Sequence, residues 1–372
     1  MKYMDFQNIS LSALGMGCMR LPGDGMGYID EAQTADMVDF AMKSGINYYD
    51  TAWGYHEGNS EIVIGKLLKK YPRDSYYLAT KFPGYDLGNM GKVREIFEEQ
   101  LKKTGVDYFD FYLFHNVCEM NINEYLDPKY GIFDYLFEQK QNGRIRHLGL
   151  SVHGSCDVLK RFLDAYGDYM EFCQIQLNWL DWDFQDAKSK VELLNERGIP
   201  IWVMEPLRGG KLAKLPDKTE SQLRSVRPDD SAPAWAFNFL SAIDGVTVIL
   251  SGMSDIDQMK ENIDIFNNLN PLNDNEMNDI FRIAKEMTGE VPCTSCRYCT
   301  EYCPMEINIP GIIRLYNELN YSGGGFLVSM ALSAIDEGKR PGDCIGCQSC
   351  EAVCPQQIKI SEIMSDFAGK LK

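Results

Sequence analysis

The sequence predicts an α/β chain: a closed (β/α)8 barrel followed by a small, mainly helical module. Between about residues 13 and 267, eight short apolar, β-branched or aromatic runs alternate with stretches of helical period. That is the size and pattern of eight βα units. The main rival, an open doubly wound sheet, requires a G-x-G-x-x-G turn that opens directly into a helix after the first strand, and none stands there. A duplicated cysteine pattern near the end of the chain marks the separate module.

The elements follow in order. SALGMG (12–17) is the first strand; Gly23, Gly25 and Gly27 after it follow Pro22 and read as a flexible loop, before a helix over 31–43. INYYDTA (46–52), YYLATKF (76–82) and FDFYLFH (109–115) are the next strands, followed by helices over 60–70, 93–104 and 133–141. IRHLGLS (145–151), FCQIQLN (172–178), IPIWVME (199–205) and GVTVILSG (245–252) complete the set, with helices over 157–166, 185–197, 233–240 and 256–266. Each run is short enough for a strand and rich in the residues that pack on a pleated surface. The polar stretch 212–230, with Pro216 and Pro228, reads as a long loop at the catalytic face, a lid or substrate wall. The expected domains are a barrel over 1–270, a linker and helix over 271–290, and a module over 291–372. Within that module, helices are expected over 311–320 and 327–337, on either side of Ser322-Gly323-Gly324-Gly325.

Composition narrows the function classes. With 45% hydrophobic and 24% charged residues the chain reads as globular. A formal charge of −17, carried mostly before residue 291, disfavours a nucleic-acid partner. The start, MKYMDFQNISLSALGMG, has no apolar signal core, and no long uncharged apolar stretch follows. A cytoplasmic, non-membrane protein is expected.

Of 12 cysteines, Cys18, Cys118, Cys156 and Cys173 are scattered. The other eight form Cys293, Cys296, Cys299, Cys303-Pro304 and Cys344, Cys347, Cys350, Cys354-Pro355. Each copy is C-x2-C-x2-C-x3-C-P, a ligand run for a [4Fe-4S] cluster, and two copies imply two clusters. Zinc sites use paired C-x2-C units instead. In two-cluster ferredoxins the fourth cysteine serves the other cluster, which groups Cys293, Cys296, Cys299 with Cys354, and Cys344, Cys347, Cys350 with Cys303. The long spacer between the runs favours a helical ferredoxin-like module.

In a barrel, polar side chains at the carboxyl ends of strands face the active site. Those ends carry Asp50, Lys81 and His115, with Tyr55 in the loop after Asp50. Singly, each has a structural use: a helix cap, a loop aromatic, a surface lysine, a core histidine. Together they suit carbonyl reduction, which puts a hydride on carbon and a proton on oxygen. Tyr55 is the proton donor, Lys81 lowers its pKa, Asp50 fixes Lys81, and His115 hydrogen-bonds the carbonyl oxygen.

The segments Asp50-Thr51-Ala52-Trp53-Gly54-Tyr55, Ala79-Thr80-Lys81 and Leu113-Phe114-His115 resemble the catalytic tetrad segments of the aldo/keto reductase superfamily. The resemblance runs over residues 1 to about 270. With the tail, the chain is similar to the ferredoxin-fused branch of that family. The resemblance implies a nicotinamide cofactor, usually NADP(H) with NAD(H) the alternative, lying across the barrel mouth. It implies that Ser151 and Gln174 hold the carboxamide, and that Ser251-Gly252-Met253-Ser254 with Gln258, Glu261 and Asn262 holds the ribose phosphate and adenine. Arg20 and Arg208, with Gly209-Gly210, lie in loops where a pyrophosphate would pass. Trp53, Gln176, Asn178, Trp179 and Trp202 are candidate pocket walls. The chain departs from the wider family at Val152-His153, where many members have Asn, at Met204 in place of an aromatic ring, and at Gln258 in place of arginine.

The implied activity is reduction of a small-molecule aldehyde or ketone, with the clusters exchanging electrons with an external donor or acceptor protein. Two other readings stay open: a reductase whose clusters are structural, and a non-catalytic electron carrier or redox sensor on a barrel scaffold.

Overall fold

The computed structural model describes residues 1–24, 27–288, 291–293 and 296–371. Gly25 of the expected glycine loop, and residues 289 and 290 of the expected linker, lie outside them. The chain divides into two compact units, Met1–Ile280 and Phe281–Lys372.

The first unit opens with an antiparallel hairpin, β1 (Tyr3–Phe6) and β2 (Ile9–Ser12). Eight parallel strands then close into a barrel: β3 (Leu14–Gly17), β4 (Tyr48–Asp50), β5 (Tyr77–Phe82), β6 (Phe109–Val117), β7 (Ile145–Val152), β8 (Cys173–Gln176), β9 (Ile201–Met204) and β10 (Val246–Ser251), with β10 returning to β3. Every expected strand forms at its run, with β6 and β7 extending past theirs to Val117 and Val152. The expected helices form too, and Asp30, Ser231 and Asp255 cap three of them by accepting first-turn N–H groups.

Strand periodicity decides what faces the barrel axis. Tyr48, Ala79, Phe111, Leu113, Phe172, Trp202, Val248 and Leu250 form one buried cluster with Phe6 and Leu11. The hairpin therefore seals the amino-terminal end of the barrel: Phe6 packs edge-on against Trp202 at 5.0 Å and His147 at 5.1 Å. Gly149 is required inside this layer, because a Cβ there would meet the Phe172 ring at 2.5 Å. Asp50, Lys81, His115, Gln174 and Met204 each lie two residues after a member of this cluster. They share its inward face one layer nearer the carboxyl ends.

Three features differ from the sequence expectation. The hairpin precedes the first expected strand. The long polar loop contains a helix, Asp217–Val226. The segment expected as a linker is tied to the first unit: Arg227 pairs with Glu276 at 2.7 Å and donates to the carbonyls of Asn270 and Pro271, and the helix Asp274–Thr288 follows.

In the second unit, two halves echo each other. The short helices Tyr298–Glu301 and Ser349–Ala352 each start after a left-handed residue, Arg297 and Gln348. Each is followed by a C-P-x-x-I-x-I segment whose isoleucines, Ile307 and Ile309, Ile358 and Ile360, are buried in one core. Helices Ile309–Ser322 and Phe326–Ser333 are joined by Gly323, Gly324 and Gly325 at φ 75°, 103° and 129°, a run that only glycine adopts without strain. The helix Ile360–Lys370 follows the second copy. Among the described residues, no helix is long and apolar enough to cross a membrane.

Candidate functional site

At the carboxyl ends of β4, β5 and β6 the chain gathers four polar side chains over an apolar layer. Lys81 is fully buried and Asp50 is 2% exposed. The Lys81 ammonium donates to Asp50 Oδ1 at 2.6 Å, to the Thr51 carbonyl at 2.8 Å and to Tyr55 Oη at 3.4 Å. An ammonium has three protons, and each finds an acceptor. A hydroxyl whose lone pair takes the Lys81 proton keeps its own proton for another partner. The Tyr55 O–H is thus oriented as a donor.

Local backbone explains how Tyr55 reaches this position. His56 and Glu57 are left-handed, with φ 50° and 54°, and Gly58 follows at 91°. The turn folds the loop back, and the His56 ring holds it by accepting the Leu21 N–H at 3.2 Å. His115 sits at a register shift in β6, where Asn116 has φ 55°. Such an irregularity re-aims a side chain at a strand end. The His115 ring lies edge-on to Tyr55 at 6.1 Å and to Tyr85 at 5.2 Å.

Electrostatics modify one expectation. Burial pushes the Tyr55 phenol above its ordinary range; Lys81 pulls it down and Asp50 pushes it up. The expected net lowering by Lys81 does not occur, since desolvation of a phenolate outweighs the neighbouring ammonium. Burial also opposes the Lys81 charge, but Asp50 and Tyr55 reverse this and hold its pKa above the usual value. The His115 imidazole is held well below its ordinary range by burial, then by Lys81 and His153, and is neutral.

A buried polar layer that the sequence reading missed supports Lys81. Gln100 donates to the Lys81 carbonyl at 3.0 Å and to Glu61 at 2.8 Å; Thr80 also donates to Glu61 at 2.6 Å, and Tyr112 donates to Gln100 at 2.6 Å. Glu61 and Gln100 are fully buried. Polar residues on the inward faces of the helices after β4 and β5 were the available signal.

The residues expected to contact cofactor divide into several groups. Ser151 accepts the Asn116 N–H at 2.8 Å, which leaves its own proton to give. Beside it in the β7–β8 register, Gln174 is 2% exposed, and its Oε1 is buried without a partner among the described residues. These two present a donor and an acceptor, the complement of a carboxamide. Arg20 lies over Gly252 and 3.7 Å from Glu205, and its carbonyl accepts from Ser254 Oγ. Gln258 bridges the Ser254 N–H and the Asp255 carboxylate. Asn262 is buried against Ser251. Glu261 instead accepts from Ser231. Arg208 turns inward: its Nε donates to the buried Asp181 at 2.9 Å, which also takes Gln176 and Asn178. Trp202 belongs to the floor cluster, below the site.

In the second unit two cavities divide the cysteines. One is walled by Cys293, Cys296, Cys299 and Cys354, with Pro310, Ile313, Ile358 and Ile360. The other is walled by Cys344, Cys347, Cys350 and Cys303, with Met305, Ile307, Ile309 and Ile360. Each set takes three thiols from one run and the fourth from the other. Among the described residues no three such groups converge tightly enough for a single ion. Four thiols spread around an apolar cavity suit a cubane, which takes one thiolate at each iron.

Comparison with known proteins agrees with both halves. Residues 13–285 match the model of the aldo/keto reductase family, and residues 292–359 that of a 4Fe-4S dicluster domain. A probable aldo-keto reductase of Glycine max is 30% identical over 212 residues, covering 55% of this chain and 58% of that protein. The chain thus spans less than two thirds of that relative. The NADH-specific methylglyoxal reductase of Escherichia coli (strain K12) is 26% identical over 305 residues, covering 70% of this chain and 91% of the relative. Among solved structures, the holo form of an aldo-keto reductase from Bacillus halodurans superposes with a TM-score of 0.63 at 27% identity, covering 77% of this chain and 97% of the other.

Proposed function

The chain belongs to the aldo/keto reductase family and carries a 4Fe-4S dicluster ferredoxin domain, and from that premise we propose that it reduces an aldehyde or ketone with a nicotinamide cofactor. The observation that carries the reading is the Tyr55 hydroxyl, which accepts from Lys81 and so keeps its proton to give. The chemistry a nicotinamide would supply when bound is the hydride for the carbonyl carbon. Tyr55 Oη gives its proton to the carbonyl oxygen, and solvent restores it. The Lys81 ammonium stabilises the phenolate left behind, and Asp50 anchors Lys81 through the 2.6 Å contact. His115, neutral, donates a hydrogen bond to the same oxygen and orients the substrate. Ser151 and Gln174 would hold the nicotinamide carboxamide, through the free Ser151 proton and the Gln174 Oε1, unpartnered among the described residues.

The same geometry favours NAD(H) over the NADP(H) common in the family. Asp255 takes the first N–H groups of the helix Ile256–Asn267, and Gln258 is bound to it. A carboxylate at this helix start repels a ribose phosphate and uses the N–H groups that would bind it. The NADH specificity of the Escherichia coli relative accords with this. Anaerobically reconstituted protein is expected to oxidise NADH with a panel of aldehydes and to bind NADH at least tenfold more tightly than NADPH. Absence of nicotinamide binding altogether would remove the reading; tighter binding of NADPH would remove only the preference.

The second unit is read as holding two [4Fe-4S] clusters with crossed fourth ligands, exchanging single electrons with an external partner. Cys354→Ser is expected to perturb the same cluster signal as Cys293→Ser, and Cys303→Ser the other, in EPR of dithionite-reduced protein. A Cys354→Ser spectrum matching that of Cys344→Ser would refute the crossing.

A further inference from the structure

The two cavities are near copies, and their walls differ in one charge. Arg297 and Gln348 occupy equivalent places, each following the second cysteine of its run. Both are left-handed, at φ 66° and 60°, and each begins the short helix that carries the third cysteine. Each lines its own cavity. Among the described residues, and apart from the thiols, the ionisable side chains lining the cavities are Arg297 in the first and Tyr302 in the second, so Arg297 brings the one cationic group. Among flanking acids, Glu301 follows the third cysteine of the first run by two positions and Glu351 that of the second by one, while Asp343 directly precedes the first cysteine of the second run, where the first run has Pro292.

We propose that Arg297 makes the two clusters unequal: the one held by Cys293, Cys296, Cys299 and Cys354 has the higher reduction potential and keeps the electron in half-reduced protein. The inference rests on the two-cluster reading above. One-electron reduction adds one negative charge to a cluster, supplied by an external one-electron reductant. A guanidinium in the wall stabilises that added charge, and the neutral amide of Gln348 does so less. Ile360 lines both cavities, so the sites share a wall. The first site is therefore the sink and the second the relay nearer in energy to a low-potential partner.

The test is an EPR-monitored redox titration of the anaerobically reconstituted full chain. Wild type is expected to show two separate midpoints, with Cys354→Ser perturbing the upper one. Arg297→Gln is expected to lower the upper midpoint and leave the lower in place, Arg297→Lys to restore it, and Gln348→Arg to raise the lower one. Glutamine already holds this backbone geometry at position 348, so Arg297→Gln keeps the local fold; circular dichroism and iron content check this. Unmoved midpoints in Arg297→Gln, or movement of the lower one alone, would overturn the inference. Reconstitution with a single cluster would overturn the two-cluster reading and this inference with it.

Discussion

Replacing Tyr55 with Phe is expected to lower kcat/KM for carbonyl reduction by about 10²–10⁴, the usual worth of a positioned general acid. The substitution removes one oxygen and keeps the ring that packs edge-on to His115 and lies 4.9 Å below the Lys81 ammonium. Nicotinamide affinity should change little, because Ser151 and Gln174 lie on β7 and β8, across the mouth from Tyr55. The loss should fall on kcat, since the proton moves only in the transition state. Steady-state kinetics with direct cofactor titration separate these outcomes. A Tyr55→Phe protein retaining more than a tenth of wild-type kcat/KM would exclude Tyr55 as the donor.

Lys81→Met is expected to abolish reduction and to destabilise the first unit by about 3–5 kcal/mol, the cost of stranding one charge of a buried pair. Asp50 is 2% exposed, and its Oδ2 has no hydrogen-bond partner among the described residues. Loss of Lys81 leaves that carboxylate with neither its ion pair nor water. The double variant Asp50→Asn, Lys81→Met removes both charges and should recover most of the stability while staying inactive. Urea unfolding and activity, measured on single and double variants, test both halves. Activity recovered along with stability in the double variant would mean that the pair serves folding alone.

Much of the site was legible in the sequence because barrel geometry ties strand ends to one mouth. Asp50, Lys81 and His115 end apolar runs, and period-two alternation along β4, β5 and β6 puts them on the inward face. Tyr55 needed more: its placement depends on the left-handed turn at His56 and Glu57, which composition does not announce. Glu61 and Gln100 escaped notice because each is an ordinary helix-surface residue type, and only helix-on-barrel packing shows that both are buried. Arg208 illustrates the reverse. A loop arginine beside two glycines suggests an anion site, yet Asp181, at the start of the short helix Asp181–Phe184 that follows β8, draws it inward.

Local period and spacing are enough for the eight-fold βα alternation, the strand-end polar residues and the two cysteine runs. The tertiary structure alone decided the direction of the Tyr55 and His115 shifts, which come from burial and from neighbours distant in the chain. It also decided the destination of Arg208 and the sealing of the barrel floor by the first hairpin. Burial, charge proximity and crossed partnerships such as Cys354 beside Cys293 are properties of packed segments, and a linear pattern carries only their ingredients.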